Sequence, residues 1–66
     1  MTVDEVRNEV DDIRMIAGDD EAAHAAEDKL RGDVLRHIAT GECEDPAALS
    51  REVLKTGEIE FARWCA

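Results

Sequence analysis

The sequence predicts an all-α fold, a compact bundle of three to four short helices in one domain spanning residues 1–66. Three observations predict it. Apolar residues recur at three- and four-residue steps along residues 3–17, 23–38 and 49–54, the spacing of one helix face. A capping residue precedes each run (Thr2, Asp19 or Asp20, Asp45) and a glycine follows it (Gly18, Gly41, Gly57), as helix starts and stops require. The one strand-like alternation, Ile59 and Phe61 between glutamates, has no partner strand in the chain.

In the first element, Thr2 and Glu5 are spaced as a capping box. Val3, Val6, Val10, Ile13 and Ala17 form one narrow apolar stripe, widened by Ile16, and Met15 falls on the opposite, exposed side. Gly18 is placed to end the helix in the left-handed conformation. The second element is the longest, running to about Thr40 with a stripe of Ala23, Ala26, Leu30, Val34, His37 and Ile38 and with Leu35 beside Ile38. Its alanine-lined first half allows close approach of another helix. Gly32 lies off the stripe without a local reason. The third element opens with Asp45 as N-cap and Pro46 at the first helical position, where its missing N–H costs nothing. Leu49, Val53 and Leu54 line it until Gly57. A short fourth helix opening near Thr56 or Glu58 is expected to carry Phe61, Trp64 and Cys65 on one side and Ile59 and Ala62 on the other.

Charge restricts the function classes. The chain carries a net charge of −9. Residues 1–28 hold ten acids against Arg7 and Arg14, whereas residues 29–66 hold seven acids against six bases. Such a field repels phosphate, so direct binding to nucleic acid or to an anionic membrane is not expected. Basic protein surfaces are attracted. Charges occupy the N-terminal stretch where a signal peptide needs an apolar core, and no apolar run approaches the length of a membrane span. The expected location is cytoplasmic, with Cys43 and Cys65 as reduced thiols.

Chemistry-bearing residues are few. His24 is flanked by Asp20, Glu27 and Asp28 at helical spacing, which suits a metal or general-base site. It equally suits a surface histidine among acids, and the remaining ligands of a di-metal site are missing. Glu27 falls at the edge of the core stripe and needs a partner, Arg31 or His24. His37 fits a satisfied core histidine near a helix end. A zinc site from His24, His37, Cys43 and Cys65 has the right count but no paired ligand spacing. No cofactor and no enzymatic activity are expected. An interaction role is: a thin core in a chain this short calls for a partner or a second copy. Ile59, Phe61 and Trp64 form one candidate contact surface, and the acidic edge Glu5, Glu9 and Asp12 another. Phe61 and Trp64, the only aromatics, equally suit a plug that closes the bundle. Two further classes are an acidic DNA-mimic decoy on a basic surface, using that acidic edge, and a metal-dependent enzyme using His24, Glu27 and Asp28.

The stretches DDEAAHAAEDKLRGDVLRHIATGE and DPAALSREVLKT, followed by IEFARWCA, resemble a group of short acidic, uncharacterised proteins of actinobacterial bacteriophages and their hosts. The similarity covers roughly residues 19–66 and is clearest in AHAAEDKLRGDVLRHIA and FARWC. It implies a phage or actinobacterial accessory protein in the bacterial cytoplasm and brings no catalytic residues.

Overall fold

A computed structural model describes residues 1–63. Three α-helices follow one another: α1 (Val3–Met15), α2 (Asp20–Ala39) and α3 (Pro46–Leu54), and a 3-10 turn over Lys55–Glu58 continues α3. No strand occurs among the described residues. A helix of 20 residues is about 30 Å long, so α2 sets the 33 Å long axis, with α1 and α3 packed along it and against each other.

The helix ends follow local chemistry. Glu5 N–H donates to Thr2 Oγ1 and Thr2 N–H donates to Glu5 Oε1, both at 3.2 Å, completing the capping box. Of the two aspartates preceding α2, Asp19 is the cap, accepting from Ala22 N–H at 3.1 Å. Asp45 accepts from Ala48 N–H at 3.0 Å ahead of Pro46. At the end of α2, Gly41 adopts φ +72°. Its N–H donates to Ile38 O and Glu42 N–H donates to His37 O, a paired closure that needs a left-handed residue. Gly18 does not take that role, since Gly41 is the one described glycine with positive φ. Gly32 has a local explanation. A Cβ there would meet the Arg36 guanidinium at 3.4 Å, so glycine leaves room for Arg36 to fold back onto Asp33.

The core is Val6, Val10 and Ile13 from α1, Ala23, Leu30 and Val34 from α2, Leu49 and Val53 from α3, and Ile59. It keeps the predicted stripes of α1 and α2, and Met15 is exposed as expected. Four expectations are corrected. The third helix ends at Leu54, before Gly57, because the chain tightens into the 3-10 turn. No fourth helix opens at Thr56 or Glu58: Ile59 turns extended (φ −81°, ψ 127°) and residues 60–63 carry no regular structure. Leu35 and Leu54, placed in the core by periodicity, are each 65% exposed. The described residues supply no fourth helix to cover them.

Candidate interaction surface

The segment after the 3-10 turn is fastened from below. Glu27, in the middle of α2, is 1% exposed. Arg63 grips its carboxylate with two nitrogens, Nη2 to Oε2 at 2.8 Å and Nε to both oxygens at 3.2 Å. Arg31 adds a third contact, Nη1 to Oε1 at 3.3 Å. Arg63 Nη2 also donates to Thr56 O at 2.8 Å and to Ile59 O at 3.1 Å, and its guanidinium stacks 3.9 Å from the Phe61 ring centroid. The hydrogen bond to Glu27 pushes the Arg63 pKa up. Thr56, fully buried, accepts from Arg31 Nη2 at 3.0 Å. Ala62 N–H reaches Asp20 Oδ1 at 3.1 Å. A bidentate, charge-assisted clamp of this kind fixes backbone position as well as charge.

A second clamp joins α1 to α3. Glu52 is buried and is held by Lys55 Nζ at 2.8 Å and by Arg7 Nε at 3.0 Å. Hydrogen bonding to Lys55, then to Arg7, holds its pKa below the usual carboxylate range. A depressed folded-state pKa contributes stability above the unfolded-state value and loses it as pH falls through the folded one. Glu52→Gln should therefore lower Tm at neutral pH, and thermal melts of the two proteins should converge as pH falls below the usual carboxylate range and through the depressed Glu52 pKa. A gap that widens on acidification would contradict this sign.

These clamps decide where the predicted site residues go. Ile59 belongs to the core rather than to a contact face, and Phe61 is half-buried against that core and Arg63. Trp64 and Cys65 lie outside the described residues. Glu5 is engaged in the capping box. Glu9 and Asp12 stand on the rim of a groove of about 220 Å³ between α1 and α2, floored by Ile13, Ile16, Ala26 and Leu30, with Lys29 and Asp33 opposite. Lys29 and Arg36 hold the Asp33 pKa down. The His24 cluster is dispersed: Glu27 turns inward to Arg63, Asp20 accepts from Ala62, and Asp28 alone approaches His24, at 3.4 Å. His37 Nδ1 sits 3.3 Å from Glu42. Among the described residues no group of three or more His, Cys, Asp or Glu side chains is placed to hold a metal ion, and no helix is long and apolar enough to cross a membrane.

The surface that sequence reading missed lies on the opposite side of α2. Leu35 and Leu54 flank a groove of about 260 Å³ between α2 and α3, with Val34 and Val53 beneath and Arg31 and Ser50 at its edges. Ser50 itself is turned back onto its helix, donating to Pro46 O at 2.8 Å. Two leucines this exposed on one groove make an apolar patch in a chain that is otherwise densely charged. The signal was present in the sequence as leucines at the margin of both stripes.

Compared with known proteins, the chain matches no family model, no curated protein and no solved structure.

Proposed function

We propose that this chain is a small interaction protein without catalytic activity, acting in bacterial cytoplasm as a phage or actinobacterial accessory factor. On this reading the scaffold is a three-helix bundle closed by residues 55–63, and its contact surface is the groove between α2 and α3. The observation that carries the reading is the pairing of Leu35 and Leu54 at 65% exposure over one apolar floor. The two clamps support it. They hold α1, α2, α3 and the closing segment in register, so the groove is a rigid feature of the fold, and preformed surfaces lose less entropy on binding. The cytoplasmic and phage or host setting rests on the resemblance alone.

Leu35→Lys combined with Leu54→Lys should abolish association with the partner, whether another protein or a second copy. Helix content by circular dichroism should stay unchanged, because neither side chain supports the core. Association that survives the double substitution would reject this surface.

The acidic decoy draws on the excess of acids in residues 1–28. It gains less from the geometry, because Glu5 is committed to the helix cap and Glu9 is half-buried. Of the three carboxylates, Asp12 alone is exposed without a side-chain hydrogen bond to a described residue. Binding to a basic nucleic-acid-binding protein that weakens steeply with salt would favour it.

A further inference from the structure

We infer that the occupant of the α2–α3 groove is a second copy of this chain, docked about a two-fold axis that passes close to Leu54. The inference rests on the proposed role of the Leu35–Leu54 face and names what covers it.

The argument begins with charge. Most ways of bringing together two chains of net charge −9 are repulsive. The α1 side is the worst, with Asp4, Glu5, Asp11 and Asp12 all exposed. The Leu35–Leu54 face differs. Arg51 lies about one turn before Leu54 and Glu58 about one turn after it, and both are exposed. Neither makes an ion pair with a described residue, although most other bases of the chain are paired. An unpaired base and an unpaired acid placed symmetrically about an exposed leucine are what a two-fold contact requires. When α3 of one copy crosses α3 of the other in antiparallel sense at Leu54, the residue one turn before meets the residue one turn after. Arg51 then faces Glu58 of the other copy, and the same pair forms again across the axis, as in any isologous contact. A heterologous partner would have no reason to match this internal symmetry.

Shape agrees with charge. Ala39, one turn after Leu35, and Ala47, two turns before Leu54, are exposed and small, so the two helix pairs can approach closely. The groove between Leu35 and Leu54 is then open to the leucine of the other copy. A contact of standard size takes about 800 Å² from each partner. The whole chain exposes 4317 Å², so one broad face must be involved, and the joined outer sides of α2 and α3 form such a face. Pairing there also thickens a core that is small for a free-standing domain.

The test is sedimentation of the full chain over concentrations up to about 1 mM. The wild-type chain should reach a two-chain species that Leu35→Lys/Leu54→Lys abolishes. Arg51→Glu alone, and Glu58→Arg alone, should each weaken pairing by roughly tenfold, since each replaces two attractions by two repulsions. The swap Arg51→Glu/Glu58→Arg should recover most of the loss. A mixture of the two single variants should form a mixed dimer more tightly than either forms with itself. A wild-type dimer indifferent to the leucine and charge changes overturns the inference. So does a chain that stays monomeric throughout. If such a monomer still retains another bacterial protein only when Leu35 and Leu54 are intact, the second copy is rejected and the interaction role stands. If it retains nothing that depends on them, both are rejected.

Discussion

Replacing Glu27 by alanine should cost about 3 kcal/mol of stability, the scale for breaking a buried ion pair. A domain of this size has on the order of 3–10 kcal/mol in total, so the loss is a large fraction of it. The reason is geometric. Glu27 is the point where α2, the 3-10 turn and the closing segment are tied, through Arg63 to Thr56 O and Ile59 O and through Arg31 to Thr56. Without the carboxylate, two guanidiniums face each other over a void. Both remain partly open to solvent, with side-chain exposures of 34% and 42%, so they can turn outward. That movement releases the segment carrying Ile59 from the core. Urea unfolding should show the midpoint falling, and amide exchange should show residues 59–63 losing protection before α1 does. Arg63→Leu should be harmful for the converse reason, since the Glu27 carboxylate has no route to water and keeps only the Arg31 contact at 3.3 Å. Joining it to Glu27→Leu should recover part of the loss, because an apolar pair removes a buried charge left with one weaker contact. Recovery stays incomplete because the Thr56 and Ile59 carbonyls lose their donor. An unchanged urea midpoint for Glu27→Ala would show that the clamp contributes nothing.

Leu49→Ala should be about as damaging, again about 3 kcal/mol, on the scale of large-to-small changes at fully buried leucines. Leu49 is 1% exposed and is the largest fully buried side chain among the described residues. It stands on α3, which packs more extensively on α1 than on α2. The helix has only nine residues and buries Leu49, Glu52 and Val53. A helix that short does not persist without packing. Loss of Leu49 should therefore detach α3 as a unit and shift thermal unfolding down by more than 10 °C, on the scale of 4–8 °C per kcal/mol for small domains. The same truncation at Leu54, one residue beyond Val53, should change Tm by little, because Leu54 touches mainly solvent. Equal effects at the two positions would refute the assigned burial pattern.

Sequence and structure agree most where the causes are local. Thr2 with Glu5, Asp45 with Pro46, and Gly41 each act within one turn, so their roles follow from neighbours in the chain. The stripe Val6, Val10 and Ile13 is legible for the same reason, as one helix face repeats every three or four residues. Leu35 and Leu54 were misplaced because periodicity reveals which side chains favour burial, not whether enough neighbours exist to cover them. Burial of Glu52 was invisible for a related reason: in LSREVL it reads as a surface acid, and its partner Arg7 lies 45 positions away. Glu27 at the edge of the core stripe needs a partner, and the sequence offers Arg31 or His24 within one turn, of which Arg31 makes the contact. Arg63, 36 positions distant, carries the stronger grip, and no local pattern points to it. The aromatics make the closing segment conspicuous in the sequence, whereas its fastening depends on Arg63.

The most direct test of the proposed role compares photo-crosslinking from two exposed apolar positions in living bacteria. One probe replaces Leu54, at the edge of the α2–α3 groove. The other replaces Met15, which is still more exposed but belongs to the far end of α1. If the α2–α3 face is the contact surface, position 54 yields a discrete adduct and position 15 yields none. No adduct at 54, or the same adducts at both positions, would contradict the assignment of that face.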